Sequence, residues 1–324
     1  MEIIAELCQN HNGDSKTLFQ MVDEAVEAGA SHVKIQHIYS KNLVFRPEFE
    51  KGLKDEKGQT LSIMRPWQNE YDRLKKLELS HETNSRFVEY ATSLGVIPMT
   101  TCFTRGDVET IFQQGFRHIK VASYDCASFQ LLKDLSEKFK YLYVSTGATF
   151  DDELIHASNI LKEKGKNCTF LHCVTQYPTP LESMNLNRID WLKKFCKNVG
   201  FSDHSLVERD GIIAAKAAIT SGAKVIERHF TVLKKEETKD GPVSISKSDI
   251  QELLNFSKLS REDQLEHLFK LNPNWKIMMG QAERWLSKDE LLNRDYYRGR
   301  FASLRRENSQ KKSEMIFNWE ETPL

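Results

Sequence analysis

The stretch IIAELCQNHNGDSKTLFQMVDEAVEAGASHVKIQ, residues 3–36, decides the fold. Its two ends, 3–6 and 32–36, are short and largely apolar runs of the length expected for buried strands. Between them, apolar residues recur every three or four positions, which predicts an amphipathic helix that ends at Gly29. The residues of this helix face are Leu18, Met21, Val22, Ala25 and Val26. A strand, a helix and a strand in this order predict two parallel strands joined by a helical crossover.

The same alternation continues to about residue 229. Helices are predicted at 87–94, 131–139, 152–164 and 210–221. The eight predicted strands are Ile3–Glu6, His32–Gln36, Val96–Thr101, His118–Ala122, Tyr141–Ser145, Thr169–Cys173, Val199–Ser202 and Lys224–His229. Eight strands alternating with helices predict an α/β fold of the (β/α)8, or TIM-barrel, type. An open doubly wound sheet is the alternative, although no G-x-G-x-x-G follows any strand.

Two segments break the alternation. Residues 39–79 are polar and contain Pro47 and Pro66, which predicts an inserted loop with its own helix at the top face of the barrel. We therefore assign the barrel to 1–271 and a C-terminal tail to 272–324. The tail is aromatic and basic, and within it we predict a helix near Lys288–Leu292 and a strand at Phe301–Leu304.

Composition excludes several classes of protein. The 324 residues are 40% hydrophobic and carry a formal net charge of zero, so neither a nucleic acid nor a membrane surface is favoured as a partner. No apolar run reaches about 18 residues, and the first residues, MEIIAELCQNHNGDS, lack the basic start of a secretory signal. The six cysteines form no C-x-x-C pair, which is typical of reduced, buried thiols. We expect a cytoplasmic protein.

The chemistry concentrates where the predicted strands end, which is where barrel enzymes carry their active groups. Lys34 and Lys120 lie on different strands and would repel each other inside one barrel unless an anion lay between them. Hydroxyl donors suited to phosphate or carboxylate oxygens follow on other strands, namely Thr101, Ser123, Ser145 and Ser202. This pattern predicts a small ligand with two anionic groups, and phosphoenolpyruvate has both.

Two histidines end neighbouring strands. His204 and His229 follow the seventh and eighth strands, and converging imidazoles with nearby carboxylates suit a divalent metal such as Mn²⁺. Such an ion would polarise an aldehyde carbonyl. Glu6 and Glu227 are candidates for metal ligands, for partners of the ligands, or for the base that activates a water. Each of these residues alone has an ordinary explanation, a surface lysine or a core histidine, so the prediction rests on the joint pattern.

Eight ordered motifs resemble the sialic acid synthase family, which includes N-acetylneuraminate, legionaminate and pseudaminate synthases and a spore-coat polysaccharide protein. The motifs are IAELCQNHNGD, AGASHVKIQ, TTCFTR, HIKVAS, VSTGAT, LHCVTQYPTP, GFSDHS and VIERHFT, and they span about residues 2–242. The resemblance implies a (β/α)8 barrel and a transferase. The implied reaction joins phosphoenolpyruvate to the aldehyde of an N-acylmannosamine-like sugar, giving a nonulosonic 3-deoxy-2-keto acid and phosphate.

The resemblance also implies roles for individual residues. Glu6 would be the catalytic carboxylate, acting together with Lys34, Lys120 and the histidines. The phosphoenolpyruvate-binding residues would be Lys34, Thr101, Lys120, Ser123, Ser145 and Ser202. The sugar-contacting residues would be Gln36, Phe103, Asp125 and Tyr177. His204 and His229 would hold the metal, with Mn²⁺ expected and Mg²⁺ or Co²⁺ as the other candidates. Relatives of this kind are homodimers.

Three departures from the family pattern lie on the sugar side. Asp125, within ASYDC, stands where a glutamate is usual, and Val243 follows Gly241 and Pro242 where an acid is usual. The tail resembles only the linker to an antifreeze-like domain, whose arginine reaches a partner's substrate in relatives; Arg298 or Arg300 is the candidate replacement. We therefore predict an altered acceptor. The alternatives are the same condensation on another aldose or an aldose phosphate, and a non-catalytic sugar-binding barrel.

Overall fold

Eight parallel strands close into a barrel in the computed structural model, which describes residues 1–305 and 314–324. The strands are β1 (Glu2–Cys8), β2 (His32–His37), β3 (Ile97–Cys102), β4 (His118–Val121), β5 (Tyr141–Ser145), β6 (Asn167–Cys173), β7 (Asn198–Asp203) and β8 (Val225–His229). Each strand pairs with its neighbours in chain order, and β1 pairs with β8 to close the ring. The closed-barrel prediction is confirmed, and the predicted strand ends agree within two residues.

Helices follow the strands and surround the barrel. They are α1 (Ser15–Ala28), α2 (Trp67–Leu77), α3 (His81–Ser93), α4 (Val108–Gln113), α5 (Phe129–Lys138), α6 (Asp151–Glu163), α7 (Arg188–Leu192), α8 (Val207–Asp210), α9 (Ile213–Thr220), α10 (Lys247–Phe256), α11 (Arg261–Leu271) and α12 (Lys288–Tyr297). Single 3-10 turns lie at Ser40–Asn42, Pro47–Phe49, Arg105–Asp107, Ser123–Asp125, Leu181–Ser183, Gly241–Val243 and Trp275–Met278. The helix predicted at 210–221 begins only at Ile213, because Gly211 separates it from α8 with a positive φ of 55°.

The first crossover shows how local sequence sets these elements. Asp14 caps α1 by accepting hydrogen bonds from the amides of Lys16 and Thr17. At the other end, Gly29 adopts the left-handed conformation with a φ of 93°, which costs a glycine little and ends the helix. The apolar face between these caps is buried against the strands, as its period predicts. The chain is thereby returned to the bottom of the barrel to begin β2.

The barrel interior is an apolar layer beneath a polar one. The apolar layer consists of Ile4, Met99, Tyr143, Leu171 and Val225. Because alternate side chains of a strand point to the same face, the residues two positions further on also point inward. Those residues are Glu6, Thr101, Ser145, Cys173 and Glu227, and all are buried. The strand period therefore places a polar layer at the carboxyl ends of the strands, directly above a filled core.

Glycine is required at one position of the apolar layer. A β-carbon on Gly200 would lie 2.4 Å from the carbonyl oxygen of Val225 and 2.7 Å from Cδ2 of Leu171. Only a residue without a side chain fits there. The strand then continues two residues further to Ser202, which joins the polar layer.

The two segments outside the alternation both lie against the barrel. The insertion contains α2, as predicted, and a short hairpin formed by Leu53–Lys54 and Thr60–Ser62. In the tail, Ser303–Leu304 pairs with Met315–Ile316, so the predicted strand at 301–304 is present in a shorter form. Residues 306–313 of the predicted tail lie outside the described residues. Backbone hydrogen bonds at Val44 and Ala302 join tail and insertion.

No helix in the described parts of the chain, 1–305 and 314–324, is long and apolar enough to cross a membrane.

Candidate active site

A cavity opens at the carboxyl ends of the strands, and it is lined by Glu227 and by twelve of the thirteen residues to which the resemblance gives a role. These are Glu6, Lys34, Gln36, Thr101, Phe103, Lys120, Ser123, Ser145, Tyr177, Ser202, His204 and His229. Every barrel strand, or the loop that follows it, contributes to this wall. Asp125 is the exception and lies behind Tyr124 and Phe103, in a smaller neighbouring cavity.

Strand register explains why residues so far apart in sequence meet. On one side, Glu6 of β1 is paired in register with His229 of β8 and with Lys34 of β2. Further round the ring, Thr101 of β3 is paired with Lys120 of β4. Parallel pairing therefore brings lysine, carboxylate and histidine side chains of adjacent strands together at the carboxyl end of the barrel.

Two carboxylates lie between the lysines. Lys34 forms an ion pair with Glu6, and its Nζ lies 3.9 Å from Oε2 of Glu227. The Nζ of Lys120 lies 3.7 Å from Oε1 of the same Glu227. All four side chains are less than 10% exposed. The repulsion between the lysines, which suggested an anionic ligand, is therefore already compensated within the chain.

Burial and charge act against each other in this layer. Burial alone would raise the pKa of Glu227, but the attraction of Lys120 and Lys34 outweighs it and holds the pKa below its ordinary range. Burial lowers the pKa of Lys34 to about 7, with Glu227 opposing the fall and Lys120 adding to it. The layer contains an ionised carboxylate beside a lysine that gains or loses its proton near neutral pH.

The hydroxyl groups of the layer differ in what they contact. Ser202 donates a hydrogen bond of 2.8 Å to Oε1 of Glu227, and Thr101 accepts one of 3.2 Å from Lys34. The Oγ of Ser145 is buried and has no hydrogen-bond partner among the described residues. Buried polar atoms without partners are rare in native proteins, so Ser145 is suited to donate to a ligand.

The two histidines follow a buried ion pair that joins β7 to β8. Asp203 and Arg228 are register partners and form this pair, and His204 and His229 come next in each chain segment. Their rings lie with centroids 5.4 Å apart. Burial is the main cause that lowers the pKa of both imidazoles, so both are neutral and able to act as ligands. The half-exposed ring of Tyr177 covers His204 at 4.2 Å between centroids.

A cluster with metal-ligand chemistry lies beside His229. Cys8, His229 and Asp240 each present one donor atom, and the three atoms lie within 4.8 Å of one another. His204 is not part of this cluster. Cys8 and Asp240 were not predicted from the sequence, although a closed barrel makes its first and last strands neighbours. The position of Cys8 at the end of β1 was therefore a usable signal.

Of the four residues predicted to contact the sugar, Asp125 lies outside the cavity that contains the other three. Asp125 is buried and accepts hydrogen bonds from Asn318 of the tail and from Ser128. Burial raises the pKa of Asp125 to about 6, against the effect of both hydrogen bonds. The two tail arginines also contact carboxylates of the chain: Arg300 is buried and pairs with Glu70, and Arg298 lies 3.5 Å from Glu153.

A larger cavity lies between α2 and the loops that follow β1 and β8. It is lined by Gln9, Asn10, Asn12, Asn69, Asp72, Arg73, Lys76, Leu77, Lys239 and Asp240. Three cationic side chains face two carboxylates across it. Asp240 belongs both to this cavity and to the cluster with His229, so the two cavities adjoin there. The insertion therefore forms one wall of this larger cavity through α2.

A model of the NeuB family matches residues 21–263. The chain belongs to the NeuB family. Two relatives of known name share its sequence at comparable levels. The N,N'-diacetyllegionaminic acid synthase of Campylobacter jejuni is 30% identical over 78% of this chain and 73% of its own length. The N-acetylneuraminate-9-phosphate synthase of Mus musculus is 28% identical over 79% of this chain and 69% of its own length.

The solved structures agree on the fold. The N-acetylneuraminic acid synthetase of Leptospira borgpetersenii superposes with a TM-score of 0.66 and 24% identity. The superposition covers 91% of this chain and 90% of that chain. Together with the strand pairing, this superposition shows that this member of the NeuB family has the barrel fold.

Proposed function

We propose that the chain condenses phosphoenolpyruvate with the aldehyde of an N-acylmannosamine-like sugar, giving a nonulosonic 3-deoxy-2-keto acid and phosphate. The observation that carries the proposal is the polar layer of Lys34, Lys120 and strand-end hydroxyls at the mouth of a filled barrel. Membership of a family whose named members make sugar acids supports the same reaction.

The lysines hold the anionic groups of phosphoenolpyruvate in this proposal. Lys34 and Lys120 each lie within 4 Å of Glu227, so a bound anion shares these cations with a carboxylate that is already present. The free hydroxyl of Ser145 is an additional donor at the same height. Fixed donors in a site closed to water stabilise charge more strongly than they would in solvent.

The bonds that form and break in the proposed reaction define the role of Glu6. The enol carbon of phosphoenolpyruvate attacks the aldehyde carbon, water adds to the carbon that bears the phosphate, and the carbon–oxygen bond to phosphate then breaks. Glu6 accepts the proton of this water, because it lies near the carboxyl end of β1 beside Lys34 and lines the cavity. Their ion pair holds the Glu6 carboxylate in place beside Lys34 for this step.

A divalent metal belongs to the proposal, with His204 and His229 as the ligands that the resemblance implies. The residues fit such an ion, because both imidazoles are neutral and Nδ1 of His229 is buried without a partner among the described residues. When bound, the ion supplies Lewis-acid polarisation of the aldehyde carbonyl.

Phosphate release from phosphoenolpyruvate tests the reaction. We expect release in the presence of N-acetylmannosamine or a diacetamido-hexose, with the 2-keto acid seen by mass spectrometry. Lys120→Met should lower kcat/KM by at least about 100-fold, because one of the fixed cations is lost. The matched control is Lys216→Met, since Lys216 is also a buried lysine but pairs with Glu252 outside the cavity. Absence of release with every acceptor would favour a non-catalytic sugar-binding barrel.

A phosphorylated aldose is the second candidate acceptor. The larger cavity carries Arg73, Lys76 and Lys239, cations suited to a phosphate group. The mouse relative is named a 9-phosphate synthase, which fits an acceptor of this kind. Comparing hexose phosphates and pentose phosphates with the unphosphorylated sugars, at equal concentration, separates the two candidates.

A further inference from the structure

Two cysteines that lie far apart in the sequence meet at the amino ends of neighbouring strands. Cys168 is the second residue of β6, and Cys196 precedes the start of β7 at Asn198 by two positions. The two strands are parallel and adjacent, with Thr169 paired to Asn198, and adjacent strands run about 4.8 Å apart. The sulfur atoms of the two cysteines lie 3.1 Å from each other, and both are free thiols.

This contact between the sulfur atoms is close to bonding distance. A disulfide bond is about 2.05 Å long, so each sulfur has to move by only about half an ångström for the bond to form. The thiol of Cys196 donates to the carbonyl oxygen of Cys168 at 2.9 Å. This hydrogen bond holds the side chain of Cys196 against β6, so that the two sulfurs face each other before any oxidant arrives.

The other four cysteines have different neighbours. All six lie in the described parts of the chain, 1–305 and 314–324, and only Cys168 and Cys196 have sulfur atoms in contact with each other. A carboxylate, a backbone carbonyl group and an imidazole are the neighbours of Cys8, Cys102 and Cys173. Cys126 is fully buried. Pairing of thiols is therefore confined to one place in the fold.

Solvent reaches the pair from one side. Side chains alternate along β6, and Leu171 points into the barrel, so Cys168 points outward toward the surrounding helices. Cys168 is only partly buried, whereas Cys196 is 5% exposed. The segment before β7 is fixed by Ser158 of α6, which donates to the carbonyl oxygen of Phe195. A small oxidant therefore reaches the sulfurs past Cys168, while the backbone around them is held in place.

The two thiols differ in acidity. The hydrogen bond with Cys168 lowers the pKa of the Cys196 thiol below its ordinary value, although burial opposes this, and backbone hydrogen bonds at Asn198 and Phe170 add to the fall. The same contact is the main cause that raises the pKa of Cys168. The thiolate is the form of cysteine that reacts with oxidants. Cys196 is therefore the sulfur that is oxidised first, and Cys168 remains a thiol that can react with it.

We propose that Cys168 and Cys196 form a redox modification site, at which a peroxide converts the two thiols into one intrachain disulfide. The Cys196 thiolate attacks an oxygen atom of hydrogen peroxide, the oxygen–oxygen bond breaks, and the departing hydroxide takes up the thiol proton as water. The sulfur of Cys168 then attacks the sulfenic acid on Cys196, whose hydroxyl group leaves with the proton of Cys168 as a second water. Two electrons pass from the sulfurs to the peroxide. The site is independent of the proposed condensation.

The disulfide would staple one strand-and-helix unit of the barrel. It would join residues 28 positions apart and enclose the rest of β6, the loop that carries Tyr177, and α7. Cross-linking a loop of this size lowers the entropy of the unfolded chain, and for 324 residues we expect Tm to rise by roughly 5 °C. Thiols reduce a disulfide, whereas an isolated sulfenic acid proceeds to irreversibly oxidised forms. The pair would therefore protect Cys196 from permanent oxidation.

Peroxide treatment of the reduced full-length protein, followed by alkylation of the free thiols and tryptic mass spectrometry, tests the site. We expect a cross-link between the tryptic peptides 167–188 and 195–197, which contain Cys168 and Cys196. Dithiothreitol should remove the link and the rise in Tm together. Absence of the link after treatment of the folded wild-type protein, or a linked protein with an unchanged Tm, would overturn the proposal.

Cys173→Ser is the matched control, because Cys173 lies in the same tryptic peptide as Cys168. The link should persist in this variant. Cys168→Ser and Cys196→Ser should each abolish it, and in Cys168→Ser the remaining Cys196 should gain oxygen atoms that dithiothreitol does not remove. Thermal unfolding under reducing conditions checks that each variant folds, and the wild-type peptide map decides the question where one does not. A link that is lost in Cys173→Ser, or that survives Cys168→Ser, would contradict the assignment.

Discussion

Replacing Glu227 with glutamine tests how far the Glu227 carboxylate balances the charges of the two buried lysines. Its carboxylate oxygens lie 3.9 Å from Nζ of Lys34 and 3.7 Å from Nζ of Lys120. At an effective dielectric constant of about 20, each of these attractions is worth about 4 kcal/mol. Glutamine has nearly the same size and can still accept the hydrogen bond from Ser202. The substitution therefore removes a charge and little else.

The net effect is smaller than the attractions alone. Burying the carboxylate has its own desolvation cost of several kcal/mol, which the variant avoids, and Glu6 continues to neutralise Lys34. Breaking a buried pair by removing one partner typically costs about 3–5 kcal/mol, and we expect a loss near 3 kcal/mol in the free energy of unfolding. For a chain of this length, that corresponds to a fall in Tm of roughly 4–5 °C.

Thermal unfolding with and without phosphoenolpyruvate measures this effect. The ligand should stabilise Glu227→Gln more than it stabilises the wild type, because its negative charge replaces the missing carboxylate. Glu290→Gln is the matched control, since Glu290 is equally buried but pairs with Arg284 away from the cavity. That variant should lose stability without a larger response to ligand. A Glu227→Gln variant as stable as wild type, or an equal ligand response in both, would refute the reasoning.

Three further predictions concern the same architecture. Burial lowers the pKa of Lys34 from 10.5 to about 7, so the unfolded chain binds more protons between these values, and the free energy of unfolding should rise with pH from about 7 toward 10. Lys34→Met should flatten this rise in a pH series of urea denaturation, and an unchanged slope would contradict the assignment. Gly200→Ala should lower the free energy of unfolding by at least about 2 kcal/mol, because its β-carbon would overlap the backbone of Val225; a neutral effect in urea would disprove the tight packing. Asn318→Ala should cost about 1–3 kcal/mol and raise the pKa of Asp125 above about 6, since it removes a hydrogen bond of 3.0 Å that lowers it; carboxyl NMR titration showing no rise would count against this contact.

The sequence predicted the features that depend on the period of the apolar residues and on the order of strands and helices. The alternation of apolar runs with helix patterns gave all eight strands, because parallel barrel strands are short and buried on both faces. Strand ends then gave the lysines and histidines, because the side-chain period of two fixes which residues face inward. Glu6 and Lys34 are such a pair, and the structure shows them paired in register on adjacent strands.

Contacts that depend on loop conformation could not be predicted in this way. Asp240 lies eleven residues after His229, and nothing in that spacing says that the loop returns to Cys8. The contact between Asn318 and Asp125 joins residues 193 positions apart through the tail. The homodimer and the role of Arg298 or Arg300 toward a partner's substrate stay predictions.

The two halves of the site are built differently, which bears on how an acceptor could change within one family. The lysine layer is fixed by strand register, so a substitution at Lys34 or Glu227 disturbs a buried charge balance that several strands share. The neighbouring cavities are lined by α2, by the loop that carries Asp240 and by the tail residue Asn318. The sequences of such loops can change while the packed core of the barrel is retained. In the proposed condensation, acceptor specificity is therefore expected to reside in these loops, and exchanging them should change the sugar while the binding of phosphoenolpyruvate is retained.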